Sequence, residues 1–418
     1  MGGNACKISV SSRFLFTIER DSPMTVSQKD HTGQRAASIS LLALAFIQLA
    51  SSAVSPALAN MSQAFPDVSP ALIGMLSTLP SFLGIPCTLV CGKIVGQKVS
   101  YRTLANLGMV VSLVCGIAPA FTNSFALMLV WRALFGMGYG VISPLMMPMV
   151  MANFEGEDVY RQTSMNAVST NIGAVVFQML GGYACNAFGW RATFIIYVLL
   201  LPSLLATFFL LPEPPKQVRH ADEKKLCPAA IFSTAGKWCI FYLLHMILFY
   251  VSVLQTSNVV HSSGFGGSDA AAIILSIVTG GGVLGGYLYK RIKSWGVHVL
   301  TFAYISLAIG YLVLAICPNV WIMALGSVLI GIGFGINMPA LQIFTGLAVP
   351  GYARSEAASY LNVFGGIGGF ISSFVVTKIV ELFGYQPGRP SFVVCIVGYC
   401  LMALVVCLGQ FTKKAAQK

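Results

Sequence analysis

Twelve stretches of this chain are nearly free of charge and long enough to cross a bilayer, near 38–60, 70–91, 103–121, 126–150, 163–185, 192–211, 236–258, 270–289, 297–316, 320–347, 356–378 and 390–410. A hydrocarbon core of roughly 30 Å takes about 20 helical residues. Lipid offers no water to an open sheet edge, so each stretch has to satisfy its backbone internally as a helix. The expected fold is an all-α membrane protein with 12 transmembrane helices. Composition agrees, since 56% hydrophobic and 9% charged residues with a mean hydropathy of +0.79 exclude a water-soluble domain of 418 residues. Gly, Pro and Asn within the seventh and tenth stretches predict broken helices there.

The stretches fall into two related sets. LFGMGYGVISP at 134–144 returns 195 positions later as LIGIGFGINMP, so that Gly136, Gly138, Gly140 and Pro144 match Gly331, Gly333, Gly335 and Pro339. Arg161 and Gly173 match Arg354 and Gly366, and Phe188-Gly189 matches Phe383-Gly384. Two pseudo-symmetric six-helix halves follow, with small residues where helices pack closely. Halves of this kind hold a solute between them in many secondary transporters. The expected organisation is a disordered cytoplasmic tail at 1–36, a first bundle at 37–211, a cytoplasmic linker at 212–232, a second bundle at 233–411 and a tail at 412–418.

Charge sets the orientation. With the N-terminus inside, 21 of the 25 Lys and Arg residues lie on one side, leaving Arg191, Lys378 and Arg389 opposite and Arg132 within a span. That asymmetry predicts cytoplasmic termini in a plasma or inner membrane. The net charge of +12 therefore reads as lipid-facing loop charge rather than a nucleic-acid surface. The first 36 residues lack the apolar core and cleavage site of a signal peptide. Eleven cysteines form no Cys-x-x-Cys pair, the five histidines are scattered, and neither a nucleophile turn nor a phosphate loop is present, so no cofactor, metal or enzymatic chemistry is expected.

Gly92, Lys98 and Arg102 lie in the second-to-third helix loop, RALFGMGYG opens the inner part of the fourth helix, and Gly189-Trp190-Arg191 and Leu211-Pro212-Glu213 flank the sixth. In these places the chain resembles the major facilitator superfamily over nearly its whole length. It departs from the family's loop signature at Gly96, where an acidic residue is usual. It departs from the antiporter-type fifth-helix motif as well, keeping Gly181-Gly182 but not Gly-Pro. The resemblance implies a twelve-helix carrier, with drug or metabolite export as its leading subclass. It also gives Gly92, Lys98, Arg102, Gly136, Gly140, Gly181 and Gly182 motif or gating roles, which the repeat extends to Gly331 and Gly335.

None of the 13 carboxylates falls within a span. The buried acid that commonly carries a coupling proton is therefore missing. Arg132 stands alone in the fourth helix, about 10 Å from its outer end. At a helix centre its insertion costs roughly 2.5–3.5 kcal/mol. It is expected either to bond main-chain carbonyls or snorkel, or to face the solute as a cavity cation. His245 near mid-depth shares a helical face with Tyr242, Ser252 and Thr256, and it is the one intramembrane group that titrates near neutrality unperturbed. Gln48 and Ser52 on the counterpart helix, Tyr139, Asn171 and Gln178, and Asn337, Gln342 and Asn362 extend a neutral polar lining for which interhelical hydrogen bonding is the competing role. Met146, Met147 and Met149, with the aromatics of the seventh helix, add an adaptable apolar wall.

The expected partners are a small organic solute, a coupling proton or other ion, and the lipid bilayer, with the protein a monomer. The leading function is efflux of drugs or amphipathic metabolites. Uptake or exchange of an organic anion is the transport alternative, and a solute sensor that does not transport is the alternative of another class.

Overall fold

A computed structural model of the protein describes residues 31–95, 99–213, 228–350 and 354–415. Most of the N-terminal tail, most of the linker, Gly96 and Lys98 lie outside the described residues. Twelve helices run in chain order: α1 Gly33–Ala64, α2 Pro70–Ile94, α3 Tyr101–Phe121, α4 Phe125–Asn153, α5 Glu157–Phe188, α6 Ala192–Leu210, α7 Pro228–Ser262, α8 Ser268–Trp295, α9 His298–Ile316, α10 Val320–Leu347, α11 Arg354–Leu382 and α12 Arg389–Ala415. Eleven are long and apolar enough to span a bilayer. The other is α5, whose 32 residues have the length but carry Gln162, Asn166, Asn171 and Gln178 along their course. The chain is a multi-pass membrane protein of two six-helix halves. One buried apolar cluster is built from residues of 37–211 joined by Leu254, and another lies wholly within 239–406.

Breaks fall elsewhere than the sequence predicts. α7 and α10 are continuous, Pro339 included. Instead α1 turns 3-10 over Ala50–Ala57, α4 over Ser143–Leu145 and α6 over Ile196–Leu199. A proline removes the hydrogen bond to the carbonyl four residues back. In α4 two prolines, Pro144 and Pro148, do so one turn apart, whereas Pro339 stands alone in α10. In α1, Pro56 follows Ser52, whose hydroxyl donates back to Leu49 O at 2.6 Å and competes for a main-chain carbonyl of its own helix.

The repeated glycines divide their work by helix face. A Cβ on Gly136 or Gly140 would overlap backbone of Pro80 or Gly84 on α2, and one on Gly331 or Gly335 would overlap Val278 or Gly282 on α8. The glycine between each pair faces another neighbour: Gly138 meets Gly108 of α3, and Gly333 meets Ala303 of α9. Two residues along a helix turn the side-chain direction by about 200°. The G-x-G-x-G spacing thus lets one helix lie close against two others, once in each half. Gly181 is pressed on Ala53 of α1, while its neighbour Gly182 faces Ser268 and Ala272 of α8 in the other half.

At the start of α3 the Tyr101 and Arg102 amides donate to the Glu213 carboxylate at 2.8 and 3.0 Å, and the Arg102 guanidinium donates to Phe208 O of α6. A carboxylate at a helix N-terminus satisfies free amides and the helix dipole. Glu213→Ala is expected to remove about 1 kcal/mol of stability, visible as a lowered melting temperature in detergent with solute binding unchanged. An unaltered melting temperature would show that this cap contributes nothing.

Candidate functional site

Hydrogen bonds between the halves concentrate at the end away from the termini. Ser257 of α7 donates to Pro56 O of α1 at 2.6 Å and accepts from the Ala59 amide at 3.2 Å. Gln63 meets His261, and Ser268 of α8 donates to Asn60 Oδ1 at 2.6 Å. Near mid-depth Gln178 Oε1 of α5 accepts from Ser276 and Thr279 of α8, at 3.4 Å each. Phe82 of α2 stacks on Phe370 of α11 with ring centroids 4.3 Å apart, and Gly366 lies against Ile85. Further toward the termini Gln342 and Asn362 are exposed.

Tyr250 of α7 packs between the two halves. It packs against the apolar clusters of both halves, hydrogen-bonds Ser81 of α2 and lies over Gly369 of α11. On the same helix Tyr242 lies over Gly365 of α11, and its hydroxyl donates to Met338 Sδ of α10 at 2.8 Å. Hydroxyls, aromatic faces and a thioether from α2, α7, α10 and α11 therefore meet where the seal ends. The described carboxylates stand in loops or end turns of helices, away from this level.

The residues singled out from sequence scatter over several environments. Tyr242 lies at this junction, Tyr139 is half-buried on α4, and Gln178 bridges the halves. Arg132 is wholly buried inside the first half. Its Nε donates to Leu76 O at 2.7 Å, its Nη1 to the Tyr197 hydroxyl and its Nη2 to Ser51 Oγ, both at 2.9 Å, with the Phe135 ring 4.9 Å from the guanidinium carbon. Two of these partners lie in 3-10 segments, Ser51 in α1 and Tyr197 in α6. His245 is sealed inside the second half between Phe249 and Phe334. Its Nδ1 is 3.2 Å from the Tyr399 hydroxyl, and Nε2 has no partner.

Ser252 also turns into the second half, donating to Phe249 O at 2.8 Å, and Asn337 is buried there with both amide atoms unpartnered. Ser52 donates to Leu49 O at 2.6 Å and Ala174 O at 3.4 Å. Gln48 is half-buried beside the 3-10 segment of α1, and Asn362 is at the open end. Asn171 bonds Ala167 O of its own helix. Sequence reasoning passed over Ser81, Phe82 and Phe370, and gave Tyr250 only as one of the seventh helix's aromatics. Tyr250 lies about 140° around α7 from His245 at 100° per residue, and nothing in the chain marks which of those faces looks across the junction.

A family model described as Major Facilitator Superfamily matches residues 40–373. Probable nitrate transporters NarT of Staphylococcus aureus are similar, at 23% identity over 259 residues that cover 58% of this chain. The match spans 61% of the length of those relatives. Among solved structures, the nucleoside transporter NupG is similar with a TM-score of 0.75 at 15% identity, covering 89% of this chain and 98% of that one. The human organic anion transporter MFSD10 gives 0.61 at 17% identity, covering 90% and 100%. Matched along most of its length and built as two glycine-seamed halves that meet at a central aromatic junction, the chain belongs to the Major Facilitator Superfamily.

Proposed function

We propose that the protein is a secondary carrier that moves a small, neutral, amphipathic organic solute, with an aromatic or planar part, by alternating access, and that export is its direction. No bond is broken in this cycle. The carrying observation is Tyr250, which packs on the apolar clusters of both halves, lies over Gly369 and hydrogen-bonds Ser81, with no ionised side chain at the same level among the described residues. Aromatic faces and neutral hydroxyls suit a solute that needs stacking and one or two hydrogen bonds. The seal at the end away from the termini matches one terminal state of a rocking cycle. With cytoplasmic termini, the positive-inside reading, that state is open inward. The membrane of residence is proposed to be the plasma or inner membrane.

An anion is the second reading, favoured by the probable nitrate transporters among the relatives. Arg132 is the one cation inside α4, and all three of its guanidinium nitrogens are already engaged by Leu76, Tyr197 and Ser51. That favours the neutral solute. Flux of a nucleoside, drug and organic-anion panel into and out of proteoliposomes, with and without a pH gradient, tests the proposal. Saturable flux of a neutral aromatic solute is expected, falling about tenfold or more in Tyr250→Ala as stacking and a hydrogen bond are lost. Binding without flux would make the protein a sensor, and flux of anions alone would establish the second reading. A response to the pH gradient would identify the coupling ion as a proton.

A further inference from the structure

On the side of the second half remote from the first, α11 and α12 splay apart over α7 and leave a cleft of about 1130 Å³. It exceeds the roughly 300–1,000 Å³ of ordinary ligand pockets. Its walls are aliphatic and aromatic: Ile240 and Leu244 of α7 form the floor, with Val375 of α11 and Val393, Val397 and Leu401 of α12 at the sides. Arg389 is the single charged lining residue and stands at one end. The walls run along α12 from Arg389 to Val405, about 24 Å at the helical rise, longer than the roughly 15 Å hydrocarbon depth of one leaflet.

Arg389 is anchored but not used up. Its Nη2 donates to Ser263 Oγ at 3.1 Å and to Cys317 O at 2.9 Å, and its guanidinium carbon lies 5.7 Å from the Phe265 ring centre. Guanidinium carries five N–H donors, so Nε and Nη1 remain to face an anion at the membrane surface. It lines the end of a long apolar trough at the N-terminal end of α12. A cation there selects a ligand with an anionic head and a long apolar tail.

The geometry points to a site for one glycerophospholipid of the leaflet away from the termini, its phosphate on Arg389 and an acyl chain lying in the cleft between α11 and α12. An occupied cleft ties two helices that pack on each other only loosely. The site is remote from the Tyr250 junction, so its occupant would act on the scaffold rather than on the solute.

Native mass spectrometry of the full chain, delipidated in mild detergent and titrated with palmitoyl-oleoyl phosphatidylglycerol or with dioleoylglycerol, tests it. One phosphatidylglycerol per protein is expected to bind about tenfold more tightly than dioleoylglycerol, the worth of a charge-assisted hydrogen bond. Val397→Trp, which fills the trough, is expected to abolish that step, and Arg389→Gln to weaken it about tenfold. Leu205→Trp, on a lipid-facing part of α6, serves as the control and is expected to leave it unchanged. Each variant is first shown to be monodisperse with a wild-type melting temperature. A variant that fails this check is replaced by Val393→Trp for the trough or by Arg389→Met for the head. Equal binding of the two lipids, or equal binding by wild type and the trough variant, overturns the assignment.

Discussion

Leucine at Gly136 or at Gly331 is expected to eliminate folded protein, while leucine at Gly280 leaves it intact. At the first two positions even a Cβ would overlap main-chain atoms, of Pro80 on α2 and of Val278 and Gly281 on α8. Backbone cannot rotate aside as a side chain can. The helices have to separate, and with them the contacts made by Gly140 and Gly335 one turn on. Overpacking alone costs about 1–3 kcal/mol where neighbours can yield, and here they cannot. Gly280 has no heavy atom within 4 Å of its Cβ position, so it serves as a size-matched control in the same helix that receives Gly331. Size-exclusion profiles and melting temperatures decide the matter. A monodisperse wild-type profile for the Gly136 and Gly331 variants would mean that the close approach is not required.

Arg132→Gln is expected to depress transport of every solute, neutral or anionic, about tenfold or more, with KM nearly unchanged. The guanidinium ties α4 to α2 through Leu76 O, to the 3-10 segment of α1 through Ser51 and to that of α6 through Tyr197. Hydrogen bonds to a charged group contribute about 1.5–3 kcal/mol each, and an amide cannot replace all three. Lysine is expected to fail similarly, because a point charge cannot reproduce a planar fork. A lowered melting temperature should accompany the lost rate. Selective loss of anion binding at an unchanged melting temperature would instead make Arg132 a solute contact, and would restore the anion reading.

The sequence by itself determined the number of helices, their limits to within several residues and the pairing of the halves. Each of these is written in hydropathy and spacing, which lipid reads locally: about 20 apolar residues become a helix whatever lies beside them. The repeated glycines were legible for the same reason, since small residues at helical spacing mark close packing before the partner helix is known. The absence of a carboxylate within a span was a matter of counting.

Tertiary structure decided which way each polar side chain faces. His245, Ser252 and Asn337 turn into the second half, whereas Tyr250 looks across the junction to Ser81. Helical periodicity groups residues onto a face, but in a helix apolar all round it does not say whether that face meets its own bundle, the other half or lipid. The same ambiguity surrounds Arg132. Its desolvation is answered by Ser51, Leu76 and Tyr197, from helices up to 81 residues away along the chain, and only their packing brings those oxygens within reach. The 3-10 segments also lay beyond the sequence rule: a proline removes one hydrogen bond anywhere, yet α10 runs on through Pro339 while α4 gives way at Ser143–Leu145.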